Sequence, residues 1–241
     1  MPRVDLFITC LGDQLFPAVG ECVVAVLRRL GVEVTFDPAQ TCCGQPAFNT
    51  GYREEAREVA TRVLDIFKDA EYVVAPSGSC TSMIRVFYPE LFADDPARLR
   101  QARELSGRVY EFSEFLVKVL KVEDVGASYH RRVTYHDSCH LLRELGIETE
   151  PRKLIRAVRG LELVEMQDNK LCCGFGGTFS VKFPEVSVAM AEDKLRAASE
   201  SGAEVIVAND SGCLMHLAGA IHRRGLPLET MHLAELLAKQ E

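Results

Sequence analysis

Tryptophan is absent from this 241-residue chain, and aromatic residues make up only 7% of it. An aromatic platform for stacking nucleic-acid bases is therefore not expected. Runs of Lys and Arg are missing too. The 28 basic residues face 35 acidic ones, a formal net charge of −7, which argues against a nucleic-acid groove or an anionic membrane surface. No stretch approaches the ~18–20 consecutive apolar residues of a spanning helix, so no membrane insertion is expected. The opening Met-Pro-Arg-Val-Asp-Leu-Phe-Ile-Thr-Cys is broken by Asp5 and reads as a strand rather than a signal peptide, which makes a cytoplasmic location the expectation. Disorder is also excluded: 47% hydrophobic and 26% charged residues suit one large domain or two of ~120 residues, each with its own core.

Cysteine is the exception to this ordinary composition, with nine residues. In a reducing compartment they point to metal binding or redox chemistry rather than structural disulfides. They occupy positions 10, 22, 42, 43, 80, 139, 172, 173 and 213. Without Cys22 they form two sets of four, Cys10, Cys42, Cys43 and Cys80 against Cys139, Cys172, Cys173 and Cys213, at offsets of 129, 130, 130 and 133. Cys42-Cys43-Gly44 matches Cys172-Cys173-Gly174, and Ser77-Gly78-Ser79-Cys80 matches Asp210-Ser211-Gly212-Cys213. Near the ends, residues 110–116 match 231–237 at an offset of 121, which places about 12 extra residues within 89–107 of the first half. Two repeats of this length indicate duplicated domains, with boundaries at 1–122 and 133–241 and a linker over 123–132.

Within each half, β-rich runs alternate with helical patterns. Residues 4–9, 32–36 and 72–75 read as strands, with counterparts at 133–136, 161–165 and 205–208. Leu15, Val19, Cys22, Val23, Val26, Leu27 and Leu30 share one helix face, as do Ala56, Val59, Ala60, Val63, Leu64 and Phe67. Residues 153–159 and 185–199 are the corresponding helices of the second half. The expected fold class is α/β: two tandem, similar half-domains, each a mainly parallel sheet flanked by helices, related by a pseudo-twofold axis. The eight repeated cysteines then fall in loops at the carboxyl ends of strands, the edge where parallel sheets bind ligands. The ~30–40 residues between successive motifs are what a βαβ crossover needs to return to that edge.

Four thiolates could hold zinc, but zinc ribbons favour Cys-x-x-Cys knuckles and none occurs here. Adjacent cysteines diverge around one small ion and suit a polynuclear iron–sulfur cluster better, with Gly44 and Gly174 letting the backbone approach it. Metal-free thiol–disulfide chemistry at the vicinal cysteines is a third reading, and a zinc-stabilised assembly protein is a fourth.

The doubled Cys-x(n)-Cys-Cys-Gly-x(m)-Cys pattern resembles the CCG cysteine-rich domain family. That family includes the cysteine-rich subunit of heterodisulfide reductase and the iron–sulfur subunits of glycolate and anaerobic glycerol-3-phosphate oxidation. His136-Asp137-Ser138-Cys139-His140-Leu141 and Cys172-Cys173-Gly174-Phe175-Gly176-Gly177 carry the resemblance most clearly, and it covers nearly the whole chain. It implies an electron-transfer subunit, an oxidoreductase component, in a complex oxidising L-lactate to pyruvate. It also implies one iron–sulfur cluster per repeat, of the [4Fe–4S] type, and as partners a ferredoxin-like iron–sulfur subunit and a further subunit. An acidic chain suits such docking. The heterodisulfide reductase pattern ends each repeat in Cys-x-x-Cys; here Ser77 and Asp210 replace the first of those cysteines, so their oxygens become candidate weak ligands.

The other candidates carry less. Cys22 reads as a core thiol without a repeat partner. His136, Asp137 and His140 bracket Cys139, as supports of the cysteine loop, as a proton-transfer group, or with Asp137 or Ser138 capping the next helix. His136, His140 and Arg143 are the candidate catalytic residues, Arg143 as a clamp for an anionic substrate. His216 follows Cys213 by one helical turn. His130, His222 and His232 have no chemical context. Gly174-x-Gly176-Gly177 lacks the dinucleotide fingerprint, and Gln45, Pro46 and Ala47 stand at the corresponding positions of the first half, so the halves need not be equivalent.

Overall fold

The computed structural model describes residues 2–240. Two four-stranded sheets are parallel throughout. The first has the order β2 (Glu33–Thr35), β1 (Arg3–Leu6), β3 (Tyr72–Ala75), β4 (Val109–Glu111). The second has the order β6 (Glu162–Leu163), β5 (Arg132–Tyr135), β7 (Val205–Ala208), β8 (Glu229–His232). The duplication seen in the cysteines is thus a duplication of sheet topology.

Alternation along the inner strands builds the interior. Val74 of β3 and Val205 and Val207 of β7 enter a central core that both repeats share, whereas Val73 and Ile206 turn to two outer cores, one per repeat. Helix Pro17–Arg29, started by proline at its first position, sends Val19, Val23, Val26 and Leu27 into the central core, where Leu233, Leu236 and Leu237 of the last helix join them. Val125, Ala127 and Tyr129, within the expected linker, are buried in the same core, and Ser128 bridges to Arg159 and Gln240. No described helix is long and apolar enough to cross a membrane.

Three expectations need correction. The strand expected over 4–9 ends at Leu6, because the Thr9 hydroxyl accepts from the Gly12 amide and starts a helix at Cys10. The strand expected over 161–165 is only β6. Each sheet also has a fourth strand, β4 or β8, that the repeat alignment contained but the strand reading did not. The insertion in the first repeat forms helix Pro96–Ser106, capped by Asp95.

Reciprocal contacts mark the pseudo-twofold axis. Ser77 and Asp210, equivalent in the repeats, meet directly: the Ser77 hydroxyl donates to Asp210 Oδ1 at 2.7 Å. Glu111 and His232 are also equivalent, each capping the last helix of its repeat and reaching the other repeat at the residue before Ser77 or Asp210. Asn209 Nδ2 donates to Glu111 Oε1 at 2.9 Å, and His232 Nε2 lies 3.1 Å from the Pro76 carbonyl. Burial pushes the Glu111 carboxyl up to about 7 and holds His232 below the ordinary histidine value, so both lean towards their neutral forms.

Because His232 Nδ1 accepts from the Ala234 amide at 3.1 Å, a proton there breaks the cap. With the folded-state value depressed, the unfolded chain binds the proton first, so stability is present above the unfolded value near 6.5 and falls as pH drops below it. Ring nitrogen shifts followed through a pH titration should show His232 taking up its proton below the ordinary histidine value; protonation at or above that value would refute this.

Candidate functional site

The eight repeated cysteines gather in two groups at the carboxyl edges of the sheets. Cys10 and Cys139 open short helices after β1 and β5, and Cys80 and Cys213 are the third residues of helices after β3 and β7. Four of the eight therefore sit in first helical turns, where unpaired backbone N–H groups favour negative charge, rather than in open loops. The Cys-Cys-Gly triplets supply the other four.

In the first group the sulfurs form a row. Cys10 Sγ lies 3.6 Å from Cys42 Sγ, and Cys43 Sγ lies 3.3 Å from Cys80 Sγ. The Cys42 and Cys43 thiols bond to each other and join the two pairs. In the second group the thiols influence one another in the same order, Cys139 with Cys172, Cys172 with Cys173 and Cys173 with Cys213. Hydrogen bonds from neighbouring thiols pull Cys42 down to about 3 and Cys172 to about 2, while the same bonds push Cys10, Cys43, Cys139 and Cys173 up. In the second row the Cys173 thiol also draws Cys213 down to about 6, burial opposing and His136 reinforcing. Neither row can carry four thiolates by itself; a multivalent cation is what would permit it.

The glycines have a steric reason. Gly44 and Gly174 have φ of +85° and +92°, and each amide faces the first sulfur of its triplet, at 3.3 Å from Cys42 and 3.4 Å from Cys172. A Cβ would lie 3.2 Å from the Ala56 carbonyl oxygen at Gly44 and 2.5 Å from that of Ser187 at Gly174. Each glycine thus lets a helix press against the triplet.

Around the rows the repeats differ. Gln40 fastens the first, accepting from the Ile8 amide at 2.7 Å and donating to the Leu6 carbonyl at 2.9 Å. In the second, Arg152 grips the buried Asp137 carboxylate at 2.8 and 2.7 Å and binds Glu165 at 2.7 and 3.1 Å. Asp137 therefore does not cap the helix at Cys139, and Ser138, which occupies the cap position, makes no side-chain cap bond. Buried Lys194 donates to the carbonyls of Asp168 and Asn169 at 2.6 and 3.1 Å behind the second triplet. Neither cation was singled out from the sequence; Lys194 was detectable as a charge among Ala191, Leu195 and Ala198 on a buried helix face. Arg152→Leu should cost about 3–5 kcal/mol in denaturant unfolding, because it strands a buried carboxylate. A loss under 1 kcal/mol would show that Asp137 does not need the clamp.

Other expected residues are placed as follows. His136 is fully buried, and one of its ring nitrogens lies within 4.8 Å of both the Cys173 and Cys213 sulfurs. His140 turns its ring edge-on to Phe87, 6.3 Å between centroids. Arg143 lines a cavity of about 510 Å³ together with Cys172, Asp168 and Lys194. His216 Nε2 lies 3.3 Å from the Ser187 hydroxyl. Ser77 spends its oxygen on Asp210 and on the Cys80 amide, and Ser79 also donates to Asp210 Oδ1, at 2.7 Å; Asp210 Oδ2 is buried without a hydrogen-bond partner. Cys22 is half-buried against the central core, away from both rows.

Among solved structures, a hypothetical protein from Helicobacter pylori shares this fold: TM-score 0.70 at 11% identity, covering 99% of this chain and 49% of that one. Lactate utilization protein A of Exiguobacterium sp. is 50% identical over 239 residues, 98% of this chain and 97% of the relative. Lactate utilization protein A of Bacillus subtilis is 48% identical over 235 residues, 98% of each chain. The cysteine-rich CCG domain matches twice, at residues 4–85 and 133–218, so each match contains one row of four sulfurs. The chain belongs to the CCG cysteine-rich domain family.

Proposed function

We propose that this chain is the iron–sulfur electron-transfer subunit of a complex that oxidises L-lactate to pyruvate. One cluster, of the [4Fe–4S] type, is held in each repeat, by Cys10, Cys42, Cys43 and Cys80 and by Cys139, Cys172, Cys173 and Cys213. The observation that carries this is that the four cysteines of each repeat come together at one sheet edge without the mutual compactness of a single-ion site. Four sulfurs on one zinc ion at ~2.3 Å would lie about 3.8 Å from one another. Among the described residues, no set of three or more cysteine sulfurs lies mutually within 4.8 Å; the one group of that compactness is His136, Cys173 and Cys213. A row of sulfurs suits a polynuclear cluster, which takes its thiolates at separate irons. When bound, such a cluster supplies one-electron transfer; the chain itself supplies the thiolates, the first-turn amides and a partly open mouth at Cys42 and Cys172.

The lactate assignment rests on the name the relatives carry. A partner is supported by surface chemistry. Val181 and Val186 are 80% and 54% exposed after the second triplet, while the first repeat, at the offset of 131 that matches Ala56 to Ser187, holds Thr50 and Glu55; exposed Phe183 is matched there by exposed Tyr52. The fold thus does not require apolar residues there; a ferredoxin-like subunit docking near the second cluster would, and a further subunit completes the assembly in the cytoplasm.

Metal-free thiol chemistry has one observation in its favour, the low values of Cys42 and Cys172. Removing this chain from its source organism tests the lactate role. Growth on L-lactate should fail and growth on glucose persist, with rescue by the intact gene but not by one carrying Cys43→Ser and Cys173→Ser. Unimpaired growth on lactate would overturn the assignment.

A further inference from the structure

The buried polar atoms that lack a hydrogen-bond partner are not spread evenly. Of seven among the described residues, five belong to the second row's surroundings: both ring nitrogens of His136, Ser138 Oγ, His140 Nδ1 and Asp210 Oδ2. An unpaired buried polar group is destabilising, so such a concentration calls for an occupant.

His136 is the sharpest case. At the offset of 129 its counterpart in the first repeat is Phe7, also fully buried and a member of the outer core that contains Cys43 and Cys80. The same backbone position at the end of the first strand of each repeat thus accepts an aromatic hydrocarbon, so the fold has no need of an imidazole there. Yet the second repeat keeps one with no surface exposure and no oxygen or nitrogen partner, facing only the Cys173 and Cys213 sulfurs within 4.8 Å, of which Cys213 bonds to it. Imidazole nitrogen is a ligand for iron as well as zinc.

We propose that His136 is a further ligand of the metal centre in the second repeat, so that the two centres of the chain differ: four cysteines in the first, the equivalent four cysteines and a histidine in the second. This rests on the function proposed above. The two centres then differ in donor set: the second has a nitrogen donor that the first, with Phe7 at the equivalent position, cannot have. The second centre's neighbourhood also bears the exposed apolar side chains Val181, Phe183 and Val186.

The test uses the whole chain, loaded anaerobically with iron and sulfide, reduced, and examined by pulsed EPR with histidine labelled with ¹⁵N. One of the two centres should show a strong nitrogen coupling that the other lacks. His136→Phe, which installs the first repeat's own residue, should abolish that coupling and leave the spectrum of the other centre unchanged. Nitrogen couplings no stronger than those of hydrogen-bonded backbone amides would overturn the assignment, and that reading needs no variant to fold. A chain that binds iron in both repeats without histidine coupling overturns this inference alone; a chain that binds no iron overturns the proposed function with it.

Discussion

Replacing Cys43 with Ser is expected to empty the first repeat of iron and leave the second filled, and Cys173→Ser is expected to do the reverse. The intact chain should hold about eight irons, four for each [4Fe–4S] cluster, and each variant about four. Cys43 and Cys173 are the inner members of their rows. Cys43 touches Cys80 at 3.3 Å and bonds Cys42; Cys173 bonds Cys172 and Cys213. Both are buried, so water cannot replace the missing sulfur. Independence of the losses follows from the fold, since each row belongs to its own sheet and its own outer core. Loss of all iron from either variant would show that the two rows bind one shared group.

Gly174→Ala should be strongly damaging, and Gly44→Ala milder. Both glycines are left-handed, which costs an alanine roughly 1–2 kcal/mol. At Gly44 the new methyl meets the Ala56 carbonyl at 3.2 Å, which a shift of a few tenths of an ångström relieves. At Gly174 it meets backbone oxygen at 2.5 Å and Met190 Cβ at 2.9 Å, so helix Pro184–Glu200 must move. The expected losses are about 1–2 kcal/mol for Gly44→Ala and at least ~3 kcal/mol for Gly174→Ala, with the second centre's iron lost as well. Thermal unfolding and iron content check both. Equal losses would show that the helix yields.

Much of this was legible in the sequence, because duplication writes every feature twice. The cysteine offsets disclosed two rows, and the period of apolar residues on helix Pro17–Arg29 disclosed the face that meets the core. Strand ends were not legible, because a single hydroxyl decides them: Thr9 stops the run that begins at Val4 by capping the Cys10 helix. Strands β4 and β8 were hidden by their composition, since Val109-Tyr110-Glu111 and Glu229-Thr230-Met231-His232 mix polar with apolar residues and form no β-rich run. The union of Ser77 with Asp210 lay outside any local pattern, since it depends on how the repeats face each other. The same is true of Arg152, whose partner Asp137 is 15 residues away on another element. The contrast between Phe7 and His136 was present in the alignment of the repeats and gains meaning only from burial.

The central claim is that each repeat's sulfur row holds one iron–sulfur cluster. Iron, zinc and acid-labile sulfide counted together in the anaerobically isolated chain test it most directly. A brown protein with about eight irons, an equal amount of sulfide and no stoichiometric zinc is the expected result. A colourless chain in which all nine cysteines titrate as thiols, or one carrying zinc without sulfide, would contradict it.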